Sequence, residues 1–105
     1  MIMRKGLLYR HRITDDTVFD FYRDTNAQGV VGLTIRNDGE TSFIIDDSVG
    51  EEFAPREVFM AENEIPIINT AFRVKFKKEA GKTNSAIMTY IVPIVDSNNL
   101  ENQQK

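Results

Sequence analysis

"AFRVKFKKEAGKT", residues 71–83, alternates apolar Phe72, Val74 and Phe76 with basic Arg73, Lys75 and Lys77, and ends in Gly81-Lys82-Thr83. A repeat of two is the period of a β-strand, whose successive side chains point to opposite faces. The three apolar residues therefore face a core and the three cations face away from it. This reading predicts a strand over 70–79, a turn over 80–85 and a second long strand over 86–95. The Gly-Lys-Thr triplet resembles the end of a phosphate-binding loop, but Phe76 stands where that motif needs its first glycine. The triplet also lies between two strands, not between a strand and a helix. No nucleotide loop is expected.

The same period runs through the rest of the chain. Arg4–Ile13 predicts a strand with Leu7, Tyr9 and Ile13 on one side and Leu8, Arg10 and Arg12 on the other. Thr14-Asp15-Asp16 is turn chemistry, because Asp side chains bond the backbone two residues on. Thr17–Arg23 is rich in β-branched and aromatic residues and reads as a second strand. Gly29–Arg36 reads as a third, with Gly32 marking a bulge or a close backbone approach. Asn37-Asp38-Gly39 predicts a hairpin that returns into a strand over 41–46. One short helix is expected near 54–62, where Pro55 suits a first turn and Val58, Phe59 and Glu62 follow at helical spacing. Residues 96–105, DSNNLENQQK, are expected to be a disordered polar tail. The expectation is a mainly β domain over 1–95: a small five- to six-stranded Greek-key barrel of the OB type, or a roll, with one short helix.

Composition bounds the chemistry. The 105 residues are 41% hydrophobic and 28% charged, with net charge −3 and seven Phe, which fits one globular domain. The absence of cysteine removes disulfides, thiolate metal sites and cysteine nucleophiles, and favours a reducing compartment. No run approaches the about 18 apolar residues of a membrane span, so a cytoplasmic protein without membrane contact is expected. His11 is the single histidine, so a His-centred zinc site is not expected. The pairs Asp15-Asp16, Asp46-Asp47 and Glu51-Glu52 lack the spacing of a calcium loop. No cofactor is implied. With no nucleophile, base and orienting group set together, the chain is not expected to be an enzyme.

Charge is unevenly laid out. Residues 1–12 hold Arg4, Lys5, Arg10 and Arg12 and no acid, whereas residues 38–64 hold nine acids against Arg56 alone. Same-face residues on a strand lie about 6.5–7 Å apart, within reach of neighbouring phosphates on an extended nucleic-acid strand. The leading expectation is a module that binds single-stranded DNA or RNA. Arg73, Lys75, Lys77, Arg10 and Arg12 would neutralise phosphate, and Tyr9, Phe19 and Phe21 would stack on bases. The alternative is a small interaction or structural protein, of viral or accessory type. It would bind a protein partner or a second copy through the acidic 38–64 segment or a sheet edge.

Parts of the chain resemble cold-shock-type OB domains. Arg4-Lys5-Gly6-Leu7-Leu8-Tyr9-Arg10 is similar to that family's opening strand, and Thr17-Val18-Phe19-Asp20-Phe21-Tyr22 falls where its aromatic binding strand lies. Phe72–Ile94 resembles its closing hairpin. The likeness spans residues 4–23 and 70–95 and implies an OB barrel in which Phe19, Phe21 and Tyr9 stack on bases. The family's Gly-Phe-Gly-Phe core is missing, and Asp20 separates the two phenylalanines.

Overall fold

The computed structural model describes residues 4–62 and 64–95. The expected 96–105 tail lies outside the described residues. Among the described residues eight strands form: β1 Arg4–Ile13, β2 Thr17–Phe19, β3 Val31–Asn37, β4 Phe43–Ile45, β5 Glu52–Phe53, β6 Val58–Ala61, β7 Phe72–Phe76 and β8 Ala86–Val95. They make two four-stranded antiparallel sheets, ordered β1-β8-β3-β6 and β2-β7-β4-β5. The strands are thus matched outside-in: β1 with β8, β2 with β7, β3 with β6 and β4 with β5. That is the strand order of a double-sheet jelly roll, a long antiparallel ribbon folded over on itself.

Three sequence expectations are corrected. The sheets do not close into a barrel. There is no α-helix among the described residues, and the 54–62 segment carries β6 where the helix was expected. Two expected hairpins are sheet switches: β3 and β4 belong to different sheets, as do β7 and β8. Alternation along a strand says which face is buried but not which sheet the strand joins, so both errors have one cause. The Gly32 expectation holds, since the β3–β8 register shifts between Val31 and Thr34 and Gly32 sits at φ +65°.

One core lies between the sheets. Leu33, Ile35, Ala86 and Met88 from one sheet meet Phe43, Ile45, Val74 and Phe76 from the other, all buried. Aromatic rings tie the layers together: Phe53 on β5 meets Phe59 on β6 edge to face at 5.7 Å. Phe21 packs on Tyr90 of β8 at 5.7 Å.

The β3–β4 switch is held by Asn37, 1% exposed. Its Nδ2 donates to the carbonyls of Thr41 (2.8 Å) and Phe53 (2.9 Å), and its Oδ1 accepts from the Gly39 N–H (3.0 Å). A Cβ at Gly39 would fall 2.5 Å from the Ser85 backbone nitrogen, so only glycine lets the two switch segments cross this closely.

The second expected strand is cut short for a local reason. Asp20 Oδ1 accepts the backbone N–H groups of Tyr22 (3.1 Å) and Arg23 (2.9 Å). This turns the chain into a 3-10 helix over Arg23–Thr25 instead of continuing β2.

Candidate interaction surface

The fold sends the predicted cations to opposite sides of the molecule. On β7, Val74 and Phe76 are buried, so Arg73 and Lys75 project from the outer face of the β2-β7-β4-β5 sheet, and Lys77 follows them. On β1, Ile13 is buried, so Arg10 and Arg12 project from the outer face of the other sheet. The core lies between the two groups, and no single groove can hold both.

Two of the three cations at β7 are already engaged with acids of the 38–64 segment. Lys75 Nζ lies 3.2 Å from Asp46, and Lys77 Nζ 3.2 Å from Glu52. The stacking candidates also part company. Phe21 is 1% exposed and has no free face, and Phe19 is half-buried against it. Tyr9 alone is 40% exposed. It stands beside Tyr90 (5.6 Å between ring centres), whose hydroxyl lies 2.9 Å from His11 Nε2. Burial, with Asp24 nearby, pushes the Tyr90 hydroxyl above its usual range.

Several acids of the 38–64 segment make contacts within the molecule. Asp38 accepts from Ser85 Oγ (2.6 Å) and Arg12 Nη1 (2.8 Å). Glu40 Oε1 accepts the Thr83 N–H, Glu57 Oε1 the Ala54 N–H, and Asp47 Oδ1 those of Val49 and Gly50. These carboxylates stabilise turns and sheet switches.

What remains is β1. It is the terminal strand of its sheet and runs for ten residues, twice the common strand length. A terminal strand presents N–H and C=O groups outward from about every second residue. Its side chains are exposed on both faces: Leu7 47%, Leu8 65% and Tyr9 40%. Beside them on the outer face lies Ile91, directly across from Leu8 and 40% exposed. Further along that face, Met60 is 57% and Val58 43% exposed. Sequence reasoning passed over Leu7, Leu8 and Ile91. The available signal was Leu7-Leu8 itself, adjacent leucines that a strand must send to opposite faces.

The β1–β8 ribbon also runs on past β3. Residues 4–7 pair with 92–95, beyond the last β3–β8 pair at Val31–Ile91. Under it, Leu7, Tyr9, Val92 and Ile94 roof a cleft of about 440 Å³ floored by the Asp24–Asn26 turn. Among the described residues no group of three or more His, Asp or Glu is placed to hold a metal ion, and no helix is long and apolar enough to cross a membrane. No family model, curated protein or solved structure matches the chain.

Proposed function

We propose that this chain is a non-enzymatic interaction module that engages another protein through the free edge of β1 and the apolar outer face beside it. The observation that carries this reading is the ten-residue terminal strand with Leu7, Leu8 and Tyr9 exposed. Proteins commonly blunt long edges because an open row of backbone groups recruits other strands. Strand addition is a general recognition mode in which the backbone supplies affinity and alternate side chains supply specificity.

The test compares two variants in capture experiments with the full chain. Leu8→Glu disturbs the β1 face, and Lys75→Glu disturbs the opposite one. A partner lost with Leu8→Glu and kept with Lys75→Glu supports the reading. Equal retention by both variants rejects it.

A second reading, binding of single-stranded nucleic acid, is supported by a narrower observation. Arg10 and Arg12 share the outer face of β1, Tyr9 is exposed on the opposite face of the same strand, and residues 4–13 hold no acid. On this reading the interface is β1 rather than β7. Anisotropy of a labelled oligonucleotide at about 50 and 200 mM salt tests it, since phosphate contacts weaken steeply over that range.

A further inference from the structure

We infer that the strand added to β1 is an acidic one: an extended segment of another protein with Asp or Glu facing Arg10 and Arg12 and an apolar residue facing Leu8. This rests on the edge-docking reading above and gives it a ligand chemistry. Residues 4–13 carry four cations and no acid. Arg10 makes no ion pair with a described residue. Arg12 already holds Asp38 at 2.8 Å, so Arg10 is the anchor and Arg12 the weaker contact.

Geometry sets the pattern of the partner. Leu8, Arg10 and Arg12 share the outer face at intervals of two, which is the interval at which an added strand presents its own side chains. Opposite charges directly across a strand pair are favourable and like charges are not. The partner's outer face therefore reads apolar, acid, acid. Its alternate residues point the other way, toward the cleft side where Leu7 and Tyr9 lie, and are apolar.

The same charges say what does not pair here. Two β1 strands laid edge to edge bring Arg10 of each copy toward a strand that carries no acid of its own, so the edge disfavours its own copy while admitting an acidic strand. Nucleic acid would satisfy the cations but leave the backbone row and both leucines without partners.

The experiment titrates the full chain with three labelled peptides of about ten residues, matched to the strand. One carries Val at every second position and, at the positions between, an apolar residue followed by two Glu, and the others replace Glu by Gln or by Lys. Anisotropy reads affinity, and amide hydrogen exchange reads where the peptide lies. The Glu peptide is expected to bind, to protect β1 amides, and to lose affinity about tenfold on Arg10→Glu and less on Arg10→Gln, as charge complementarity requires. Circular dichroism confirms that each variant folds. Equal binding of the Glu and Gln peptides with β1 protected overturns the acidic partner and leaves edge docking standing. No protection of β1 by any peptide overturns both. β1 amides protected by protein concentration alone, or an oligonucleotide that outcompetes the Glu peptide, would assign the edge to a second copy or to nucleic acid and overturn the inference.

Discussion

Phe53 and Phe59 meet edge to face with ring centres 5.7 Å apart and planes at 86°, although they belong to different sheets. Residues 54–57, the connection between β5 and β6, carry the chain from one layer to the other, and Glu57 Oε1 accepts the Ala54 N–H across that turn. An edge-to-face pair adds about 0.5–1.5 kcal/mol beyond area burial. A double-mutant cycle with Phe53→Leu and Phe59→Leu, followed by urea unfolding, should give a coupling of about 1 kcal/mol. Strict additivity would show that the two rings do not meet.

Asn37 gives a larger effect. Replacing it by Ala removes the donors to the Thr41 and Phe53 carbonyls and the acceptor for Gly39. Buried backbone groups left without partners cost about 1–3 kcal/mol each, so Asn37→Ala should lower unfolding free energy by about 3 kcal/mol. Asn37→Asp should cost more, because it turns a carboxylate oxygen toward two carbonyls. A loss below about 1 kcal/mol in urea would mean that the switch does not depend on this amide.

The strands whose bounds were legible residue for residue are β1 and β8. Both are long, and each carries enough alternation to read without its neighbours. The cationic face of β7 was legible too, since Val74 and Phe76 alone suffice to turn Arg73 and Lys75 outward. What could not be read was which sheet each strand enters. Asn37-Asp38-Gly39 looks like a hairpin because those residues tolerate tight turns, yet here Asp38 and Glu40 donate their N–H groups to the carbonyls of Ser85 and Thr83. The turn chemistry is used, but against a distant partner. The helix expectation at 54–62 failed because a strand of four residues is too short for its period to outweigh Pro55 and a helical coincidence of Val58, Phe59 and Glu62. Arg10 and Arg73 could be ranked as exposed from sequence, but their placement on opposite faces depends on the topology.

Asp38 makes stability depend on acid. The hydrogen bond from Ser85 holds its carboxyl below the usual range, burial opposes this, and the Arg12 guanidinium adds to the lowering. A carboxyl whose pKa is lower in the folded state contributes stability above its unfolded value, about 3.9. That contribution is lost as pH falls through the depressed folded value. Thermal unfolding of Asp38→Asn should therefore fall less steeply than that of the unaltered chain below about pH 4. Parallel curves would show that the Ser85–Asp38–Arg12 cluster is not formed in solution.

The cations of β7 and those of β1 should behave differently in every assay. Lys75–Asp46 and Lys77–Glu52 are exposed pairs, and such pairs contribute at most about 1 kcal/mol each and fade with salt. An Arg73/Lys75/Lys77→Ala triple variant should lose little stability, and the loss should shrink at high salt. If β1 carries nucleic acid, this variant should also bind a single-stranded oligonucleotide almost as the unaltered chain does. Arg10→Gln, which removes one cation from the β1 face, should lower the salt slope by about one contact. The reverse result, with binding lost in the triple variant and kept in Arg10→Gln, would move the nucleic-acid reading to β7 and require Lys75 and Lys77 to exchange their carboxylates for phosphate. The three peptides separate the remaining case. If neither cationic face changes oligonucleotide binding and the Glu peptide still protects β1, the basic edge serves protein recognition.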